Sequence, residues 1–140
     1  MLQRPLRMLI VDNSADDAEL MSRALRQGGF APECVRVDTA DAVASALAEE
    51  RGWDVIACDY RLPRLDAARV LHTARAALPV VPILLVCGRY PPDLWHEIGS
   101  GLISQFVSKD RLAELPEVIT ALLRTREHAA CSDPTDGPMR

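Results

Sequence analysis

The chain alternates between two hydrophobic periods, and that alternation constrains its fold more than any other feature. Short apolar runs with strand character are each followed by a stretch whose apolar residues recur at helical spacing. Met8-Leu9-Ile10-Val11 is the first such run and reads as a central strand. Ser14 then offers a helix cap, with Asp17 three residues on completing a capping-box pattern. Ala18, Met21 and Leu25, flanked by Leu20 and Ala24, form the buried stripe of that helix, and Gly28-Gly29 stops it.

The pattern then repeats. Pro32 to Asp38 alternates, Val35 and Val37 against Cys34 and Arg36, as expected of a strand exposed on one side at a sheet edge. Thr39 caps a second helix with the stripe Val43, Ala44, Leu47 and Ala48, ending at Gly52. From Trp53 the chain runs without a polar residue between Asp54 and Asp59, then turns through a segment containing Pro63. Asp66 caps a third helix through Val70, Leu71, Ala74 and Leu78, and Pro79 forbids its continuation. Val81 to Val86 is the most apolar run and reads as a fully buried fourth strand, with Pro82 tolerated near its start. A loop with Pro91-Pro92 and a short helix carrying Leu94, Trp95 and Ile98 should follow. Ile103 to Val107 reads as a fifth strand, and Leu115, Val118, Ile119, Leu122 and Leu123 mark a strongly periodic last helix. Residues 128–140 lose the stripe and turn to Ser, Pro, Asp and Gly, so they read as a disordered tail.

Five strands alternating with helices predict an α/β fold: one doubly wound, flavodoxin-like domain. Its parallel five-stranded sheet should run in the order 2-1-3-4-5, which puts the half-exposed second strand on an edge. A length of 140 residues suits one domain. The net charge of −4 argues against a nucleic-acid surface. No apolar run is long enough to span a bilayer, and no signal-peptide core follows Met1. Cys34, Cys58, Cys87 and Cys131 are scattered without a Cys-x-x-Cys pair, which fits a reducing cytoplasm.

In such sheets, ligands sit beyond the carboxyl ends of the strands. There the first strand delivers Asp12 and Asn13, the third Asp59, the fourth Cys87 and the fifth Lys109. Taken singly, each reads equally well as a solvated loop residue. Together they have a chemistry. Two neighbouring carboxylates repel unless a cation lies between them, and an oxygen-rich cluster suits Mg2+. A lysine arriving from another strand then pairs with the anion that the metal recruits. Carboxylate, Mg2+ and ammonium are a minimal kit for phosphoryl transfer.

Residues 6–127 resemble the receiver domain of bacterial two-component response regulators. The resemblance rests on Leu9-Ile10-Val11-Asp12-Asn13-Ser14, Asp59-Tyr60-Arg61-Leu62-Pro63 and Phe106-Val107-Ser108-Lys109-Asp110, in that order and spacing. It implies that Asp59 accepts a phosphoryl group from a histidine kinase, a phosphotransfer protein or a small phosphodonor. It implies that Asp12, Asp59 and the backbone carbonyl of Arg61 hold Mg2+, and that Lys109 contacts the phosphoryl group. Phe106 would be the aromatic that reorients on activation, and Cys87 stands where the family has a switch Thr or Ser. The resemblance also implies a signalling domain rather than a conventional enzyme, with output by protein contact and homodimerisation through the last helix-strand-helix face.

Several positions depart from the family pattern, among them the glycine expected before the fifth strand, which is displaced to Gly101. Asn13 replaces a second acid and offers only a neutral oxygen to a metal. Cys87 replaces a hydroxyl with a weaker thiol donor. Asp110 stands where Pro is common, and Ala67 where a Gly is. Asn13 and Cys87 keep open a second reading, a degenerate receiver that binds partners without being phosphorylated. An aspartyl-nucleophile hydrolase ranks last, because Asp12-Asn13-Ser14 lacks the second carboxylate such enzymes place there. A redox role for Cys87, beside Lys109, is the remaining candidate.

Overall fold

A computed structural model describes residues 3–88 and 101–131. Five parallel strands, β1 (Arg4–Val11), β2 (Phe30–Val37), β3 (Val55–Cys58), β4 (Ile83–Cys87) and β5 (Gln105–Ser108), form one sheet. Their order is β2-β1-β3-β4-β5. The doubly wound, flavodoxin-like expectation is borne out, with β2 on the predicted edge. The helices are α1 (Ala15–Gln27), α2 (Ala40–Leu47), α3 (Ala67–Ala77) and α4 (Leu115–Cys131), the last preceded by a 3-10 segment, Lys109–Glu114.

Side chains alternate along each strand, so one sheet builds two cores. Leu9, Val11, Ile56, Cys58, Ile83 and Leu85 pack under α2 and α3 with Val43, Leu47, Val70 and Leu71. Met8, Ile10, Val55, Ala57, Leu84 and Val86 pack on the other side with Met21 and Leu25 of α1 and Ile119 and Leu123 of α4. Strands covered on both faces need no polar alternation, which is why the central runs are continuously apolar.

The strand limits differ from the sequence reading for a reason visible in the register. β1 pairs with β2 over its whole length, from Arg4↔Phe30 to Val11↔Val37, but with β3 only from Met8↔Val55 to Val11↔Cys58. The apolar run Met8–Val11 is therefore the part with neighbours on both sides. Arg4 to Leu6 pair with the edge strand alone, where Pro5 is tolerated, and Arg7 also bonds Asp54 just before β3. β5 lies two residues later than expected, and Ile103 is buried before the strand begins.

The helix caps behave as the sequence suggests: Thr39 Oγ1 accepts from Ala42 N, and Asp66 Oδ1 from Ala68 N and Arg69 N. α2 stops at Leu47, short of Gly52, and turns Ala46 inward while Ala44 and Ala48 stay exposed. Leu20, on the flank of α1, is exposed as well. α4 continues to Cys131, past His128 where the tail was expected to begin. The expected Pro91-Pro92 loop, the short helix with Leu94, Trp95 and Ile98, and residues 132–140 lie outside the described residues. Among those described, no helix is long and apolar enough to cross a membrane.

The amino end of the sheet is tied together by Arg7. Its guanidinium lies 4.0 Å from the Trp53 ring centroid and pairs with Glu33 and Glu49. Trp53 is buried, with its indole N–H donating to Ala46 O at 2.8 Å. The carboxyl end, by contrast, gathers the acids.

Candidate functional site

Two backbone hydrogen bonds carry the ladder one residue past the strands and set the site. Asp12 N donates to Val37 O (3.1 Å), and Asp59 N donates to Val11 O (2.9 Å). Asp12 and Asp59 therefore leave adjacent strand ends side by side. Lys109 begins the 3-10 segment, whose first turn is capped by Ser108 Oγ accepting from Asp110 N at 3.1 Å.

The Lys109 ammonium sits where three carboxylates converge. Its Nζ donates to Asp17 Oδ2 at 2.7 Å and to Asp59 Oδ2 at 2.9 Å. Asp12 Oδ2 is also 2.9 Å away as an ion pair. That contact falls short of hydrogen-bond geometry, leaving Asp12 Oδ2 a buried oxygen with no hydrogen-bond partner. The remaining oxygens are engaged by backbone: Asp12 Oδ1 accepts from Ser14 N (2.9 Å) and Asp59 Oδ1 from Arg61 N (3.3 Å). Exposure grades the acids, at 1% for the Asp12 side chain, 8% for Asp59 and 31% for Asp17.

Burial pushes the Asp12 carboxyl above its ordinary value, and the Asp59 charge adds to this against the pull of Ser14 N–H and Lys109. Burial alone would lower the Lys109 ammonium, but its bonds to Asp17 and Asp59 and its ion pair with Asp12 outweigh that and raise it. Lys109 is thus firmly cationic, and three acids share one positive charge.

Asp17 is the member that sequence reasoning missed. The capping box forms only by half: Ser14 Oγ accepts from Asp17 N at 3.1 Å. The reciprocal bond to Ser14 N is made instead by Asp12, two residues upstream. Asp17 is thereby released from its local role and reaches Lys109 across 92 positions of sequence. The signal was the Asp12-x-Ser14 spacing, which lets an Asx-type turn compete with the box.

The other expected residues are more dispersed. Asn13 is exposed and lines a separate small cavity with Asp38, Leu62, Pro63 and Arg64. Arg61 meets Asp59 through its backbone, with its side chain exposed. Cys87 ends β4, opposite Ser108 in the ladder, and is buried rather than open at the mouth of the site. Phe106 is half-buried on β5 and packs against the core under α2 and α3. Cys58 is buried, its thiol pushed up by burial, with Sγ donating to Asp59 O at 3.2 Å.

The donor set suits a hard divalent cation: buried carboxylate oxygens, one of them lacking a hydrogen-bond partner, with charge in excess of the single lysine. Among the described residues, no three Asp, Glu, His or Cys side chains are grouped as a ready-made metal cage. Nζ holds the point at which the acids meet.

Comparison with known proteins agrees with this architecture. No family model matches the chain. It is 34% identical over 137 residues to the transcriptional regulatory protein PrrA of Mycobacterium tuberculosis, a match covering 95% of the chain and 58% of PrrA. It is 27% identical over 136 residues to ZraR of Salmonella typhimurium, covering 93% of the chain and 29% of ZraR. A CheY-like receiver domain protein from Methanospirillum hungatei superposes with a TM-score of 0.74 at 19% identity, covering 92% of this chain and 99% of that one. The signal receiver domain of an HD-domain protein from Pseudomonas fluorescens gives 0.73 at 20% identity, covering 93% and 95%. The chain carries a receiver domain of the two-component response-regulator family. It spans little more than half the length of PrrA.

Proposed function

We propose that this receiver accepts a phosphoryl group on Asp59, in a Mg2+-dependent reaction, from a histidine kinase or phosphotransfer protein. The observation that carries the reading is the Lys109 ammonium bound between Asp59 and Asp12 at the carboxyl edge of the sheet. An Asp59 carboxylate oxygen forms the new bond to phosphorus. The donor's phosphorus–nitrogen bond breaks, and the departing imidazole takes up a proton from solvent. Lys109 stands within reach to stabilise charge on the transferring oxygens. Asp12, Asp59 and the Arg61 carbonyl would hold Mg2+, with Asn13 as a neutral neighbour. Mg2+ when bound offsets the charge of the acids and of the phosphoryl group.

Cys87 and Phe106 are the residues through which a switch would run. The thiol at Cys87 is a weak donor to a phosphoryl oxygen. Output passes by protein contact, including pairing with a second copy through the last helix-strand-helix face. The orientation of Asn13 toward a separate cavity and the burial of Cys87 favour one alternative, a receiver that binds partners without phosphorylation.

Intact mass after incubation with acetyl phosphate and Mg2+ tests the choice. One added phosphoryl group in the wild type, absent in Asp59→Asn, is expected. No adduct with acetyl phosphate or phosphoramidate, under conditions where a control receiver is labelled, would favour the alternative.

A further inference from the structure

We propose that Asp17 is a positioning residue that holds Lys109 in a resting place, and that phosphorylation trades the Asp17–Lys109 bond for a Lys109–phosphoryl bond. The proposal rests on the reading of Asp59 as the phospho-acceptor. An ammonium has three protons, and this one already faces three carboxylates: Asp17 at 2.7 Å, Asp59 at 2.9 Å and Asp12 at 2.9 Å. Phosphorylation turns the Asp59 carboxylate into an acyl phosphate whose charge lies on the phosphoryl oxygens, so Lys109 follows that anion by loosening its hold on one of the other two acids.

Burial decides which. Asp12 is almost wholly enclosed, so losing its cation would strand a charge away from water. Asp59 is the group being modified. Asp17 is about a third exposed, so water can replace the ammonium at its carboxylate. It also lies in the first turn of α1, where the helix N-terminus favours a negative charge. Release of Asp17 is therefore the cheapest exchange open to the cluster.

The exchange has a structural consequence. The Asp17–Lys109 bond joins the start of α1 to the end of β5 across 92 positions. Breaking it frees the first turn of α1, which is otherwise closed locally by Ser14 through Asp17 N and Ala18 N. The amino end of α1 thus reports the state of Asp59.

The test compares wild type, Asp17→Asn and Asp17→Glu. Phosphorylation by phosphoramidate with Mg2+ is followed by intact mass. Amide hydrogen exchange over residues 15–18 is followed with and without beryllofluoride, a phosphoryl mimic. Replacing a charged acceptor by a neutral one should speed Asp17→Asn labelling at least about threefold. Asp17→Glu, which keeps the charge, should stay near wild type. Beryllofluoride should quicken exchange at residues 15–18 in wild type. Asp17→Asn should already show the quicker exchange and change no further.

Equal labelling rates, or a beryllofluoride response that survives in Asp17→Asn, would overturn the proposal. So would slower labelling of Asp17→Asn together with weaker Mg2+ binding by calorimetry, which would assign Asp17 to the cation. Failure of the wild type to take either phosphoramidate or beryllofluoride removes the Asp59 reading itself, and this proposal with it.

Discussion

Asp12 carries its charge where almost no water reaches it, and one of its oxygens has no hydrogen-bond partner. Breaking a buried pair usually costs stability because it leaves the other charge alone. Here Lys109 keeps two further acids, so removing Asp12 leaves no charge stranded. We expect Asp12→Asn to stabilise the protein at pH 7 by about 1–3 kcal/mol, read from urea unfolding. The pH dependence has a definite sign. The folded carboxyl binds its proton more tightly than an unfolded one at 3.8, so its contribution to stability is full below that pH. That contribution falls as pH rises through the raised value. The advantage of Asp12→Asn should therefore grow from acid toward neutral pH; a constant gap would mean the carboxyl is not strained by burial.

Gly28 and Gly29 end α1 together, yet for different reasons. Gly29 has φ of +96°, the left-handed region that favours glycine, and open space where a Cβ would stand. Gly28 has an ordinary φ of −91°, but a Cβ there would collide with the Cβ and Cγ of Pro116 at the start of α4. A rigid ring in the first turn of a helix cannot swing aside as a flexible side chain would. Gly28→Ala should cost about 1–3 kcal/mol through overpacking, and Gly29→Ala about 1 kcal/mol through backbone strain. Chemical-denaturant midpoints of the two variants decide it: the reverse order would place the constraint in the backbone rather than in the α1–α4 contact. The sequence reading of both glycines as a helix stop is correct, and only the packed neighbour separates them.

At the scale of the whole molecule, the sheet concentrates unbalanced negative charge at one edge. A divalent cation bound there by the folded state alone stabilises it by mass action, about 1.4 kcal/mol at tenfold excess over its dissociation constant. Mg2+ should accordingly raise the melting temperature of the wild type and raise that of Asp12→Asn less. An equal rise in both would place the cation elsewhere.

The fold was legible because its determinants are local or periodic. Apolar runs covered on both faces, helix stripes, and the caps Ser14, Thr39 and Asp66 are properties of neighbouring residues. The half-exposed second strand marks a sheet edge, and the flavodoxin-like order that places it there brings Asp12, Asp59 and Lys109 to one rim. Strand limits were less legible, since the ladder partners of Arg4 to Arg7 all lie on β2 and the run is not continuously apolar. The membership of the site was decided by tertiary structure. Asp17 read as a local cap, because nothing within a few residues reveals that Asp12 takes the Ser14 N–H or that Lys109 stands opposite. Asn13, read with Asp12 from the strand end and the family pattern, is exposed and lines a cavity with Asp38, Leu62, Pro63 and Arg64. Charge pairing over long sequence distance depends on where side chains converge in space, and one-dimensional spacing does not encode that.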